Sequence, residues 1–109
     1  MAQPHAKSGE IVDLRPLGPK LHDARTIALI KEKHFEAARL IVHAGMDIPP
    51  HKVAGDITLH CLEGEIVLGL GASEVVLKEG DWLYLKGGEL HSLKGVVDSS
   101  LLLTILFER

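Results

Sequence analysis

The sequence lacks most features that would indicate a secreted, membrane-bound or nucleic-acid-binding protein. It has one cysteine, Cys61, which excludes an intramolecular disulfide. No apolar run approaches the roughly 18 to 20 residues that span a bilayer, and the polar residues 1–10 contain no signal-peptide core. The 12 basic residues are scattered, and the formal net charge is −3. We therefore expect a cytoplasmic protein that binds neither membrane nor nucleic acid.

Aromatic residues are also scarce, at 4% of the chain, so the core must be built from Val, Ile, Leu and Ala. The hydrophobic fraction of 46% is enough for a packed core, and 109 residues fit one domain. Residues 1–24 are predicted to be an N-terminal arm. Its first nine residues are polar and are expected to fray. Pro16, Gly18 and Pro19 predict irregular structure over residues 11–21. Residues 25–109 are predicted to form the folded domain.

Within that domain, short runs rich in Val, Ile and Leu are divided by turns that contain glycine. The runs cover residues 26–30, 36–43, 57–62, 65–70, 74–78, 82–85 and 100–107. This spacing predicts an all-β, antiparallel sandwich or barrel. The main alternative is a helix over residues 27–40, where Leu and Ala are common. Asp98-Ser99-Ser100 is interpreted as a turn.

The chain resembles the cupin superfamily in the spacing of its glycines and histidines. Gly45, five residues and His51 resemble the start of the first cupin motif, which Gly64 closes. Gly80-Asp81, a strand, Lys86-Gly87-Gly88 and His91 resemble the second motif. The resemblance covers about residues 36–107. Within the superfamily, the chain is most similar to the small single-domain cupins. It implies a single antiparallel cupin barrel (double-stranded β-helix, or jelly roll) of about eight strands, preceded by the arm.

The resemblance also implies a metal site, but only part of the ligand set is present. In cupins, two His and one Glu from the first motif and one His from the second usually hold Fe, Mn, Zn, Ni or Cu. His51 and His91 match two of these positions, whereas Val53 and Ile57 stand at the other two and cannot bind metal. Stable transition-metal sites usually have three or four protein ligands. The histidines therefore either hold a divalent metal (Fe, Mn, Ni or Zn) in a degenerate site or line a pocket without metal.

Two neighbouring residues, His60 and Cys61, are candidates to complete this site. Strand side chains alternate between faces, so His60 should point away from the face that carries Ile57 and Cys61. His60 could therefore become a third metal ligand only if a bulge reversed its direction. Cys61 should face inward, where it is either a pocket residue with a metal-binding thiolate or a small buried hydrophobe.

Three functional hypotheses remain open at this point. The first is a protein that binds a small molecule in a barrel pocket lined by His51, His91 and Cys61. The second is a metal-dependent dioxygenase or isomerase, and the third is a structural or stress-related protein without catalysis. A homodimer is expected, because small cupins commonly pair and because residues 100–107 are more apolar than one buried face requires. Trp82 and Tyr84 share strand parity and should lie together, either at a subunit interface or near the pocket.

Overall fold

A computed structural model describes residues 5–107 and contains nine strands and one short 3₁₀ helix. The 3₁₀ helix is Gly18–Asp23. The strands are β1 (Ile27–Lys31), β2 (Phe35–Val42), β3 (Asp47–His51), β4 (Asp56–Glu63), β5 (Glu65–Leu70), β6 (Ser73–Lys78), β7 (Trp82–Leu85), β8 (His91–Gly95) and β9 (Ser99–Leu106). No helix within residues 5–107 is long and apolar enough to cross a membrane.

The strands form two antiparallel sheets with the core between them. One sheet has the order β1-β2-β9-β4-β7, and the other has the order β3-β8-β5-β6. The core is almost entirely aliphatic, as the composition predicts, and its most deeply buried side chains come from β2, β4, β5 and β9. They are Val42, Leu59, Cys61, Ile66, Leu68 and Leu101. The predicted all-β antiparallel fold is confirmed.

The alternative of a helix over residues 27–40 is wrong. This segment forms β1, a turn and β2, and β2 pairs along its whole length with β9, from Phe35 against Leu106 to Val42 against Ser99. The intrinsic helix preference of Leu and Ala is only a few tenths of a kcal/mol per residue. Burial between two neighbouring strands outweighs it here.

Two strands, β3 and β8, lie outside the runs predicted from the sequence. β3 contains Pro49-Pro50, which interrupts the strand pattern because proline lacks a backbone N–H donor. The strand forms nevertheless because it is at the edge of its sheet, where β8 is its one partner among the described strands. Proline is tolerated at such an edge. β8 is short, and its polar residues Ser92 and Lys94 alternate with buried Leu93, so it has no continuous apolar run.

The turn predicted at residues 98–100 is only partly present. Asp98 lies in a bend, but Ser99 and Ser100 begin β9 and are completely buried. Their hydroxyls are satisfied inside the protein. Ser99 Oγ accepts from Glu65 N (2.9 Å), and Ser100 Oγ donates to the Glu63 carboxylate (2.6 Å). A buried hydroxyl with such partners carries little desolvation cost, so serine is compatible with a central strand.

The two glycines that delimit the first motif have backbone conformations that explain why glycine occupies these positions. Gly45 and Gly64 have φ angles of 78° and 92°, in the left-handed region that favours glycine. Gly64 also sits against the backbone of Asp98 and the side chain of Ser99, so an added Cβ would clash with both. The tight connection from β4 to β5 therefore requires glycine at position 64.

The N-terminal arm is more ordered than the sequence suggests. Residues 1–4 lie outside the described part of the chain, but Ala6 N already donates to Leu29 O in β1 (2.7 Å). Further along, the 3₁₀ helix Gly18–Asp23 replaces part of the predicted irregular stretch. Pro19 lies in the first turn of that helix, where its missing N–H and fixed φ are tolerated.

A buried carboxylate at the end of β4 fastens this arm to the barrel. Glu63 accepts hydrogen bonds from the backbone N–H groups of Leu17 (3.0 Å) and Gly18 (3.2 Å). It also pairs with the buried guanidinium of Arg39 in β2 (3.1 Å) and accepts from Ser100. The same Arg39 nitrogen donates to Arg15 O in the arm (2.8 Å). One carboxylate thus connects the arm with β2, β4 and β9.

This network makes stability depend on the charge of Glu63. Burial by itself would raise the pKa of Glu63, but the hydrogen bonds from Leu17, Ser100 and Gly18 and the charge of Arg39 together hold it below its usual value. A carboxylate with a lowered pKa in the folded state stabilises the protein above its unfolded-state pKa. That contribution is lost as the pH falls through the folded-state pKa.

We predict that Glu63→Gln lowers the free energy of unfolding by about 3 kcal/mol at pH 7, because Arg39 is left buried beside a neutral partner. Urea unfolding of both proteins between pH 7 and pH 3 measures this. The difference should be full at neutral pH and should shrink in acid, as Glu63 in the wild type becomes protonated. Glu32→Gln, in the exposed turn between β1 and β2, is the control. Equal stability of wild type and Glu63→Gln at pH 7 would contradict the proposed role.

Candidate functional site

The structure brings His51 and His91 together at one end of the four-stranded sheet. His51 ends β3, His91 begins β8, and the two are directly paired in the antiparallel register. Directly paired residues project their side chains on the same face of a sheet. The two ring centroids are accordingly 4.4 Å apart, with an angle of 56° between the ring planes.

Backbone carbonyl groups hold both rings in the same way. Nδ1 of His51 is 3.1 Å from Pro49 O, and Nδ1 of His91 is 3.0 Å from Glu89 O. A carbonyl oxygen can only accept, so each Nδ1 must carry the proton of these hydrogen bonds. In the neutral rings each Nε2 is then an unprotonated acceptor, and the fixed tautomer leaves its lone pair available.

The histidines are positioned at the edge of a small apolar cavity between the two sheets. His91 is only 4% exposed, whereas His51 lies at the surface, so the pair extends from the solvent into the interior. The cavity has a volume of about 110 Å³. Its other lining residues are aliphatic and come from β2, β3, β4, β8, β9 and the loop before β4: Leu40, Ile48, Val53, Ile57, Leu59, Leu93, Leu103 and Ile105.

The residues around the histidines do not fit a resident transition metal. Val53 and Ile57, which stand where cupins usually have His and Glu, both line the cavity and supply only hydrocarbon. Within residues 5–107, no group of three or more His, Cys, Asp or Glu side chains is arranged to hold a metal ion. Hydrogen bonds from Nδ1 to carbonyl groups do suit histidine ligands, but two ligands fall short of the usual three or four.

Cys61 does not reach this cavity. It lies on the inner face of β4, as its parity predicts, but two residues beyond Leu59 and outside the cavity lining. It is completely buried, and its Sγ is 3.5 Å from Glu63 O. Burial is the main cause that raises the pKa of the thiol. Cys61 is therefore placed as a neutral core residue, and the structure does not bring it to the two histidines.

His60 lies on the opposite face of the same sheet. Along β4, buried residues alternate with half-buried ones without a bulge between Ile57 and His60, so His60 shares the outer face with Thr58. Its partners in the neighbouring strands are Trp82 and Leu102. The structure thus places His60 away from His51 and His91, which its parity predicts.

The register assigns Trp82 and Tyr84 to this outer face as well. Trp82 pairs with His60 and Tyr84 with Thr58, so both aromatic rings project away from the cavity. They are 62% and 51% exposed, respectively. The alternative that they lie near the pocket is therefore wrong.

His43, which directly follows β2, contacts the arm instead of the cavity. Its Nε2 is 3.1 Å from Ala24 O, and its Nδ1 is 3.5 Å from Asp98. Asp98 also lies 3.3 Å from exposed His22 and accepts from Ala44 N. These contacts attach the end of the arm to the barrel.

Sequence reasoning missed most of the cavity lining. Leu40, Leu103 and Ile105 belong to runs predicted as strands, but they come from distant parts of the chain. Only the pairing of β2 with β9 and of β9 with β4 brings them together. The alternation of side chains within each run predicts which residues point inward. It does not predict which of these inward residues surround a cavity.

Solved structures with similar backbones are numerous, and several of them are named as cupins. No protein-family model and no curated protein matches the sequence. A conserved protein of unknown function from Streptococcus pyogenes has a TM-score of 0.79 at 16% identity, with 100% of this chain and 96% of that chain covered. A cupin superfamily protein from Desulfitobacterium hafniense has a TM-score of 0.75 at 18% identity, with 91% of this chain and 100% of that chain covered. KdgF from Halomonas has a TM-score of 0.69 at 16% identity, covering 77% and 80%. The chain therefore has the cupin fold.

We predict that the neutral rings of His51 and His91 carry their proton on Nδ1 and not on Nε2. The backbone carbonyl groups that accept from each Nδ1 enforce this tautomer. Long-range ¹H–¹⁵N NMR spectra of the imidazole rings distinguish the two nitrogens, and exposed His34 serves as the reference. A proton on Nε2 of either ring would contradict the geometry described above.

Proposed function

We propose that this cupin-fold protein binds one compact small molecule in the cavity beside His51 and His91, without a resident metal. The observation that carries the proposal is the combination of two paired imidazoles, each with an uncommitted Nε2, and an aliphatic cavity. Binding sites for small molecules are typically apolar, with a few polar groups that fix orientation. This cavity is likewise lined by aliphatic side chains, with the two histidines as its polar groups.

The size of the cavity sets the scale of the ligand. A dry engineered cavity of about 150 Å³ binds benzene. The present cavity has a volume of about 110 Å³, and the exposed His51 lies at its mouth. A body of about six or seven heavy atoms is therefore the size that supports the proposal. Larger molecules would have to extend past His51 into solvent.

A metal-dependent dioxygenase or isomerase is the second candidate, and the paired histidines alone favour it. Such chemistry would need a metal held by more ligands than these two. Val53 and Ile57 lie at the cavity, so the missing ligands can be supplied by mutation.

We predict that wild-type protein purified without a His-tag contains well under one equivalent of Fe, Mn, Ni or Zn. The Val53→His/Ile57→Glu variant should bind close to one equivalent of Ni or Zn, because it completes the cupin ligand set. Elemental analysis after dialysis measures both, and Val53→His alone serves as the milder variant if the double change prevents folding. One full equivalent in the wild type, lost in His51→Ala, would favour the enzyme.

Ligand binding itself is tested by a thermal-shift screen of small alcohols, phenols, acids and sugars. A ligand at ten times its Kd stabilises the protein by about 1.4 kcal/mol, which raises the Tm by roughly 5 °C or more. The effect should disappear in Val53→Trp, which fills the cavity, and should persist in His60→Phe on the outer face. If no compact compound gives a shift that depends on the cavity, the proposal fails and a structural role without ligand becomes the better account.

We further propose that the protein is a homodimer and that the outer face of the five-stranded sheet is its interface. On the two strands that flank β4, Trp82 and Tyr84 of β7 and Leu106 of β9 expose large apolar side chains on this face. Leu102 of β9, beside His60, is half-buried there. Exposed apolar surface of this kind is characteristic of protein interfaces. β7, which carries both aromatic residues, is also an edge strand whose free side could pair with a second copy.

We predict a dimer in analytical ultracentrifugation at micromolar concentration and a monomer for Trp82→Glu/Tyr84→Glu. Both side chains are exposed within one chain, so the folded monomer should survive with an unchanged far-UV spectrum. Val76→Glu, at an exposed position on β6 in the other sheet, should remain dimeric. A wild-type monomer at micromolar concentration would rule out the proposed dimer.

A further inference from the structure

We infer that the ligand of the cavity is a neutral hydrogen-bond donor, namely a compact apolar molecule that carries a hydroxyl group. This inference rests on the proposed binding function and specifies the chemistry that the site selects. It follows from which atoms the site offers and which it does not.

The site offers the ligand hydrogen-bond acceptors and no side-chain donors. Each Nδ1–H of His51 and His91 is already committed to a backbone carbonyl group, at 3.1 and 3.0 Å. The neutral rings therefore present only the lone pairs of their Nε2 atoms. The other eight lining residues are aliphatic and have no polar side-chain atoms. A hydroxyl hydrogen would be paired here, whereas a ligand carbonyl or ether oxygen would find no side-chain donor.

The site also lacks anything that would compensate a charged ligand. No carboxylate, lysine or arginine is among the residues that line the cavity. Moving an ion from water into such surroundings without a partner of opposite charge is strongly unfavourable. A carboxylate would in addition face the two acceptor nitrogens of the neutral rings. The geometry therefore selects against anions and ammonium ions and in favour of a neutral hydroxyl.

The void and the position of the rings determine where that hydroxyl would lie. His91 is buried while His51 is exposed, so the imidazole pair lies at the mouth and the aliphatic residues lie beneath it. A molecule with one apolar end and one hydroxyl would bind with its hydrocarbon inward and its oxygen between the two rings. Phenol has the required size and stays neutral at pH 8, since phenolic groups have a pKa of about 10.

Phenol, toluene and benzoate are the probes that test this inference. Toluene has nearly the shape of phenol but no donor, and benzoate is an anion at pH 8. Titration of ¹⁵N-labelled protein, followed through the ring nitrogens of His51 and His91 and the methyl groups of Leu103 and Ile105, gives the affinity and its location. We expect phenol to bind at least tenfold more tightly than toluene, and benzoate to produce no shifts at this site.

Two variants identify the origin of phenol's advantage. In His91→Phe the difference between phenol and toluene should fall to less than threefold, because the buried acceptor is gone while the apolar cavity remains. In His60→Phe, on the outer face, the tenfold difference should persist. An advantage of phenol that survives in both His91→Phe and His51→Phe would overturn the inference, because the acceptors would then not be the histidines.

The outcomes separate this inference from the proposed function. If toluene binds in the cavity as tightly as phenol, or benzoate binds more tightly, the cavity is a ligand site but the preference for a neutral donor is wrong. If none of the three probes shifts the cavity resonances and the wider screen of compact compounds also fails, the proposed function falls and the inference falls with it.

Discussion

The alternation of side chains along β4 is the constraint on which both the apolar cavity and the outer face of the five-stranded sheet depend. Ile57 and Leu59 point into the cavity, while Thr58 and His60 point to the outer face with the two exposed aromatic residues. A shift of one residue in register would exchange these two sets. It would place an imidazole in the cavity and expose two aliphatic side chains. The separation between the cavity and the apolar outer surface therefore follows from the register of a single strand.

The same strand also connects the cavity with the arm. Ile57 and Leu59 pair with Ile105 and Leu103 of β9 at the cavity, whereas Glu63, at the end of the strand, pairs with Ser100. The apolar end of this two-strand ladder borders the cavity. The other end carries the buried and hydrogen-bonded Glu63 carboxylate, whose partner Arg39 has a buried Nε without a hydrogen-bond partner among the described residues. Changes at Glu63 should consequently alter stability without changing the cavity lining. Changes at His51 or His91 should alter the cavity lining without altering stability.

The sequence was sufficient for the fold because turn glycines and apolar runs are local signals. Gly45 and Gly64 have the backbone conformations that their spacing implies, and parity correctly gave the directions of His60 and Cys61. Prediction from the sequence failed at β3, where Pro49-Pro50 is tolerated only because the strand is at an edge. It also failed at Ser99 and Ser100, whose burial depends on partners distant in sequence. The tautomers of His51 and His91 were likewise inaccessible, because they depend on backbone carbonyl positions in the folded chain.

The central claim is that the two histidines bind a molecule directly and not through a metal. A crystal structure of untagged protein, with anomalous diffraction recorded at the Fe, Ni and Zn absorption edges, tests this most directly. The account predicts no anomalous peak beside the rings and, with a bound ligand, a polar atom within about 3 Å of at least one Nε2. An anomalous peak about 2.0–2.1 Å from both Nε2 atoms would show a metal site and contradict the account.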